Sequence, residues 1–225
     1  MRILALELST ETGTLAWLEE DQVRWEKKWA GDGRRRPVFA DLYALVREGG
    51  LEWSGIDRLA VGVGPGAFSG LRAAVSLMQG LALPDQKPLT AVSSARALAR
   101  SILKETGAPR VVVLGDARRH ELWAGCFAVE EGVVQPCGDW IVAPPGALPD
   151  FLKAAGTVWV SPDWTGLGAT LEAVCPPTVT LLREVRRPSA AMVGGLVGDL
   201  VSRGMEGEPA VPIYVHPAVS IAPRF

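Results

Sequence analysis

A buried apolar run, Leu59 to Val63, breaks into Gly64-Pro-Gly-Ala-Phe-Ser-Gly-Leu-Arg72 and then into a helical pattern. This strand-to-helix turn limits the fold more than any other stretch of the chain. Three glycines within seven positions permit backbone angles and close approaches that side chains forbid. Pro65 fixes its own φ and donates no hydrogen bond. A helix starting here presents free N–H groups and the positive end of its dipole to whatever lies above the loop. The turn is therefore either a phosphate seat or a hinge that sets a helix in place for a partner. No Gly-Lys-Ser/Thr closes it as in a Walker loop, and the Rossmann glycine spacing does not fit.

Leu71, Ala74, Val75, Met78, Leu81 and Ala82 share one face of the helix expected over Leu71 to Leu83, which is its core side. Ala73, Ser76, Leu77 and Gly80 form a second stripe roughly 150° around the axis. A solvated back face would carry Lys, Glu or Gln, yet only Arg72 and Gln79 do so, at the stripe's edge. Small residues there let a second helix come close, either from a partner or from within the same domain. The preceding helix, Pro37 to Glu48, is stopped by Gly49-Gly50. Its Val38, Phe39, Leu42, Tyr43, Leu45 and Val46 spread over roughly 160°, wider than the ~100° that one core contact requires. Surplus apolar and small surface on two neighbouring helices points to an oligomer or a hetero-complex. The candidate contact residues are Pro37, Phe39, Ala40, Tyr43, Ala44, Arg72, Ala73, Ser76, Leu77 and Gly80.

The order of elements alternates. Arg2 to Ser9 reads as a buried strand, with Leu15 to Leu18 and Gln22 to Lys28 as antiparallel companions. The two helices follow, with strand Leu59 to Val63 between them. Leu89 to Val92 is strand-like, and Ser93 or Ser94 caps a helix to about Glu105. Near Ala108 the pattern begins again. Arg110 to Leu114 is the continuous apolar run of a central strand, and Glu121 to Val129 and Val133 to Val142 continue a meander. Helices are expected at Pro149 to Ala155, Gly166 to Ala173 and Pro188 to Arg203, with strands at Thr157 to Val160 and Val179 to Leu182. A duplicated three-strand meander followed by α/β elements predicts an α/β, actin-like (ribonuclease H-like) fold of two subdomains, 1–106 and 107–225. The last helix is expected to pack back on the first subdomain.

Hydrophobic residues make up 48% of the 225, ample for a buried core, and no apolar run approaches the ~20 residues that span a bilayer. Without the basic-then-apolar pattern of a signal peptide, the chain reads as cytoplasmic. Cys126, Cys137 and Cys175 are odd in number and form no Cys-x-x-Cys pair, so reduced buried thiols are expected rather than a disulfide frame or a zinc site. A net charge of −2 argues against a protein that grips nucleic acid by itself.

Ile3-Leu-Ala-Leu-Glu-Leu-Ser-Thr-Glu-Thr12, the Gly64 to Arg72 loop, Val92-Ser-Ser94, Asp116-Ala-Arg-Arg119 with Glu121, and Pro212-Ile-Tyr-Val215 occur in this order along almost the whole chain. In that order and spacing the chain resembles the TsaB (YeaZ-like, glycoprotease-type) family, the bacterial accessory subunits of threonylcarbamoyladenosine synthesis on tRNA. The resemblance implies a non-catalytic scaffold that docks a TsaD-like catalytic subunit and recruits a TsaE-like ATPase. It also implies a homodimer in isolation and tRNA contact only through the complex. No cofactor would be tightly bound, with ATP and Mg entering at the level of the assembly. Departures from the family pattern include Glu7 in place of the usual Asp, Arg34-Arg-Arg36 before Pro37, Ala67 and Ser69 where Ser and Thr are usual, and Val215-His216 in place of Leu-Arg.

Catalytic readings are weaker on chemical grounds. His120 and His216 are the only histidines and lie far apart in sequence, which leaves too few nitrogen ligands for a typical catalytic zinc or iron site. Ser69, His120 and Asp116 can be drawn as a triad, but an Asp in an Asp-Ala-Arg-Arg-His turn more simply caps that turn. An actin-like kinase or hydrolase acting alone is the alternative function. For it, Glu7, Ser9, Thr10, Thr12, Gly64, Gly66 and Asp116 are the candidate nucleotide or phosphate contacts. The competing reading is that Glu7 and its neighbours hydrogen-bond their own turn.

Overall fold

The computed structural model describes residues 1–30, 38–48 and 51–215. The sequence features at Arg34 to Pro37, Gly49-Gly50 and His216, and the side chains of Phe39 and Val46, lie outside the described residues. Strands β1 (Arg2–Glu7), β2 (Thr12–Glu19) and β3 (Gln22–Ala30) form an antiparallel meander. Strands β4 (Arg58–Gly62) and β5 (Leu89–Val92) extend it in parallel on the β1 side, giving the order β3-β2-β1-β4-β5. The second sheet repeats the plan. Strands β6 (Arg110–Arg118), β7 (Glu121–Glu130) and β8 (Val133–Pro136) are antiparallel, and β10 (Thr157–Val160) and β11 (Thr180–Leu181) run parallel to β6. The resulting order, β8-β7-β6-β10-β11, matches the first sheet strand for strand, with β9 (Ile141–Ala143) added against β7. This duplicated α/β layout is the actin-like arrangement expected from the order of elements.

Strands at the centre of each sheet are apolar through their middle residues, Ile3 to Leu6 in β1 and Val111 to Leu114 in β6, because both faces are covered there. Along β1 and its extension, Leu4, Leu6 and Leu8 face one core and Ile3 and Ala5 the other. Along β6, Val111 and Val113 alternate with Val112 and Leu114 in the same way. Helices α1 (Val38–Glu48) and α2 (Phe68–Ala82) cover the outer face of the first sheet, and α4 (Trp164–Val174) covers the outer face of the second. Between the sheets, α5 (Ala190–Ser202) packs on β1, β2 and β4, while α3 (Ser94–Thr106) packs on β6 and β7 and against α5.

Two charged contacts bind this middle layer. The Arg100 guanidinium of α3 donates to both oxygens of Asp199 on α5, at 2.5 and 2.8 Å. Buried Arg96 donates to the Val134 carbonyl (2.6 Å), Gln135 Oε1 (2.8 Å) and Glu208 Oε1 (3.0 Å), and so joins α3 to β8 and to the carboxy-terminal segment.

Three elements differ from expectation. Helix α2 begins at Phe68 rather than Leu71, with the Leu71 N–H bonded to the Ala67 carbonyl at 3.0 Å, so half of the glycine-rich loop is the helix's first turn. The single strand expected over Val133 to Val142 is split into β8 and β9, which pair with opposite ends of β7. Gly138, at φ 147°, lies between them, and Trp140 crosses Gly125, where an added Cβ would fall 2.5 Å from the indole. Pro149 to Ala155 forms only a 3₁₀ turn at Asp150–Lys153. The Leu152 carbonyl, which a longer helix would use, accepts the Trp159 indole N–H at 2.8 Å instead.

Burial pushes the Asp199 carboxyl up, but the Arg100 hydrogen bonds and the charges of Arg100, Lys104 and Arg203 outweigh it and hold the group below its ordinary value. A carboxyl depressed in the folded state stabilises the fold above its unfolded value, and this is lost as pH falls through the folded one. Asp199→Ala is expected to lower stability by about 2 kcal/mol at pH 7. In urea titrations the gap between wild type and variant should close below the normal carboxylate range; a gap independent of pH would refute the assignment.

Candidate functional site

The ends of β1, β4 and β5 meet at one buried carboxylate. Glu7, fully buried, closes β1, and its Oε1 accepts the Ser9 N–H while its Oε2 accepts the Ser94 hydroxyl at 2.6 Å. The Ser94 oxygen also accepts the Gly64 N–H at 2.9 Å, and the Ser94 N–H and the Ser93 hydroxyl both donate to the Gly64 carbonyl, at 2.8 and 3.0 Å. Ser93 Oγ in turn caps α3 by accepting the Arg96 N–H at 3.2 Å. Gly62 makes room, since a Cβ there would overlap Glu7 Oε2. Gly64 holds φ at +95°, in the region where side chains are disfavoured. A Cβ on Gly66 would lie 2.2 Å from the Ser9 carbonyl, which accepts the Ala67 N–H at 2.6 Å. The glycines of the loop thus let the entry to α2 lie directly against the turn after β1.

Above this knot a cleft of about 970 Å³ separates the carboxy-terminal ends of the two sheets. Ser9, Thr10 and Gly66 line one side, and Asp116, Asp163 and the first turn of α4 line the other. Both α2 and α4 begin at its wall without a side-chain cap. Arg72, Arg118 and Arg187 stand at the margin. Most of these groups are already engaged. Asp116 Oδ1 accepts the Arg118 N–H at 2.7 Å and Oδ2 its guanidinium at 3.1 Å, so this Asp caps its own turn. Asp163 Oδ2 accepts the Asp116 N–H at 2.9 Å. Burial, joined by the nearby Asp116 charge, pushes the Asp163 carboxyl up against the pull of that hydrogen bond and of Arg118 and Arg187. Arg187 donates to Thr12 Oγ1 and Glu11 Oε1, both at 3.2 Å, and Thr10 Oγ1 donates to the Thr12 carbonyl at 3.0 Å.

The structure divides the expected phosphate contacts. Ser9, Thr10, Gly66 and Asp116 line the cleft, whereas Glu7 and Gly64 lie in the knot beneath it and Thr12 is held by Arg187. The drawn triad does not assemble: Asp116 is committed to Arg118, and His120 is an exposed turn residue at φ 63°. Among the described residues, no three His, Cys, Asp or Glu side chains come together as a metal site.

On the outer side of α2, the core face is Gly70, Leu71, Ala74, Val75 and Met78, with Leu81 and Ala82 half-buried. Ala73, Ser76 and Gly80 are exposed, Leu77 is half-buried, and among the described residues a Cβ on Gly80 would meet nothing within 4 Å. On α1, Ala40 is exposed, Tyr43 is 62% exposed and Ala44 is half-buried. Arg72 turns away from this face, stacking 3.8 Å above the Phe68 ring and donating to the Tyr214 hydroxyl at 2.9 Å. The carboxy-terminal segment follows that edge, where Gln79 donates to the Ala210 carbonyl at 3.1 Å and the Ile213 N–H bonds Val63 at 2.8 Å. Among the described residues it leaves Ala73, Ser76 and Gly80 exposed.

Residues 42–141 match the family model described as TsaD, tRNA N6-adenosine threonylcarbamoyltransferase. The tRNA threonylcarbamoyladenosine biosynthesis protein TsaB of Escherichia coli is 28% identical over 180 residues, 70% of this chain and 78% of its own. The structure of YeaZ from Pseudomonas aeruginosa is similar with a TM-score of 0.77 at 28% identity, over 95% of this chain and 100% of the other. A solved structure described as an uncharacterized protein with similarity to peptidase YEAZ from Pseudomonas aeruginosa is 32% identical with a TM-score of 0.79, over 96% of this chain and 99% of the other. The chain belongs to the TsaB/YeaZ family.

For this TsaB/YeaZ chain, sequence reasoning overlooked Gly62, Ser94, Asp163, Arg187 and the Phe68–Arg72–Tyr214 stack as parts of the site. Asp163 had a usable signal: Val160-Ser-Pro-Asp163 ends β10 just as Gly62-Val-Gly-Pro65 ends β4, and the duplication brings both turns to one cleft. Glu7→Ala should leave the Ser9 N–H and Ser94 hydroxyl without an acceptor and cost about 3 kcal/mol. Gly62→Ala should be similarly destabilising because the carboxylate has nowhere to move. Thermal unfolding of both variants checks this, and a wild-type melting temperature for either would contradict it.

Proposed function

We propose that the chain is a non-catalytic scaffold and activator in threonylcarbamoyladenosine modification of tRNA, docking a TsaD-type catalytic subunit in the cytoplasm. The observation that carries this reading is the outer face of α2, where Ala73, Ser76 and Gly80 leave a strip of exposed helix with little side-chain bulk. Tyr43 and Ala40 of α1 stand exposed beside the same core cluster. Small residues allow close helix–helix approach, so a partner's helices could pack against α1 and α2 with apolar burial as the main driving force. The relatives support the pathway: TsaB proteins of tRNA threonylcarbamoyladenosine biosynthesis and a family model of the transferase itself. Docking would bias the catalytic subunit towards its transfer-competent arrangement. A TsaE-type ATPase would join that assembly, and tRNA would be held by the complex. In isolation the same face would pair two copies, in competition with the hetero-complex.

The non-catalytic part of the reading rests on Glu7. Its carboxylate is spent on Ser9 and Ser94, which favours a structural role over contact with a metal or phosphate. ATP and Mg would accordingly act at the level of the complex.

Gly80→Glu and Ala73→Arg should each weaken association with the catalytic subunit by roughly 100-fold, about 3 kcal/mol. Circular dichroism should be unchanged, because both positions are exposed and glutamate favours a helix interior over glycine. Co-elution of either variant with the partner at wild-type affinity would refute the docking face. Calorimetry of the isolated chain with ATP and Mg should show no tight binding; a low-micromolar Kd with turnover would favour a kinase or hydrolase instead.

A further inference from the structure

We propose that Cys126 and Cys137 are a redox pair that closes into a reversible cross-strand disulfide when the protein meets a hydroperoxide. Antiparallel pairing of β7 with β8 sets Phe127 against Pro136, and one step further the register sets Cys126 against Cys137. The ladder continues through that step, with the Cys137 N–H bonded to the Cys126 carbonyl at 2.8 Å. Residues opposed in this way have Cα atoms about 5.5 Å apart, inside the roughly 4.4–6.8 Å that a disulfide spans. Both side chains enter the same core cluster beneath α4.

The two thiols differ in access. Cys126 is buried, whereas Cys137 is half-buried between exposed Pro136 and Gly138. Burial pushes the Cys126 thiol up to about 12, aided by the adjacent Cys137, so Cys126 is a poor first nucleophile. Cys137 therefore reacts first. Its thiolate attacks the peroxide oxygen, breaking the O–O bond and giving a sulfenic acid and, for hydrogen peroxide, hydroxide, which takes up a proton to become water. The Cys126 sulfur then attacks the Cys137 sulfur, and the sulfenic hydroxide leaves, taking up the Cys126 proton as a second water. Two thiols are oxidised by two electrons and one hydrogen peroxide is reduced to two waters. An external thiol restores the pair by exchange. Closure staples β7 at the point where it exchanges β8 for β9, just before the Gly138 bend. Cys175 lies outside this geometry, its thiol turned to the Pro176 and Val179 carbonyls.

The full chain, treated with hydrogen peroxide and then alkylated without reduction, should lose two hydrogens and leave one alkylatable thiol, that of Cys175. Peptide mapping should recover a 126–137 cross-link, the melting temperature should rise, and dithiothreitol should reverse both. Cys126→Ser and Cys137→Ser should each abolish the loss of mass, and Cys175→Ser should not. Three thiols still open to alkylation, a sulfinic acid at Cys137 without a cross-link, or a cross-link that requires Cys175 would each overturn the proposal.

Discussion

Burying a carboxylate at the end of a central strand is costly unless every oxygen finds a donor, and in this protein the solution to that problem shapes the region around it. Glu7 draws the Ser9 N–H from its own turn and the Ser94 hydroxyl from the start of α3. To reach them it needs the space left by Gly62, and Ser93 and Ser94 then lock Gly64 in its left-handed conformation. Three strand ends and two helix starts are thereby fixed by one acidic side chain. The orientation of α2, and with it the direction in which Ala73, Ser76 and Gly80 face, follows from how the chain leaves this knot.

The duplication supplies the second constraint. Each half builds a 3-2-1-4-5 sheet, and the inner face of each sheet is covered by a helix from the other half. Helix α5 returns from the end of the described chain to pack on β1, β2 and β4, while α3, from the first unit, lies on β6 and β7. The exchange makes the middle layer common to both sheets, bound by Arg100 with Asp199 and by Arg96 with β8 and Glu208. With the inner faces dry and the outer faces of the sheets covered, the small-residue side of α2 is left exposed among the described residues.

Much of this was legible in the residues. Apolar runs at Leu59 to Val63 and Arg110 to Leu114 identify central strands because only strands covered on both faces tolerate them, and the 3.6-residue period separated the core and outer faces of α2. The knot was harder to read. Glu7 looked like a contact for a ligand because sequence gives the position of a carboxylate but not its donors, and Ser94, 87 residues away, supplies one of them. The strand break at Gly138 and the short turn at Asp150 were hidden for a similar reason, since each is set by a distant tryptophan, Trp140 over Gly125 and Trp159 on Leu152. Arg72 was assigned to the docking face by its helical angle, yet Phe68 and Tyr214 hold it on the cleft side.

Hydroxyl-radical footprinting of the chain, alone and mixed with the TsaD-type subunit proposed as its partner, tests the covered-helix claim most directly. Oxidation of Tyr43 and Leu77 should fall in the complex, while Val129 and Phe151, exposed on the second half of the chain, should react as before. Unchanged labelling of Tyr43 and Leu77 in a complex that demonstrably forms would contradict the claim, because the bare side of α2 would then remain in water in the working assembly.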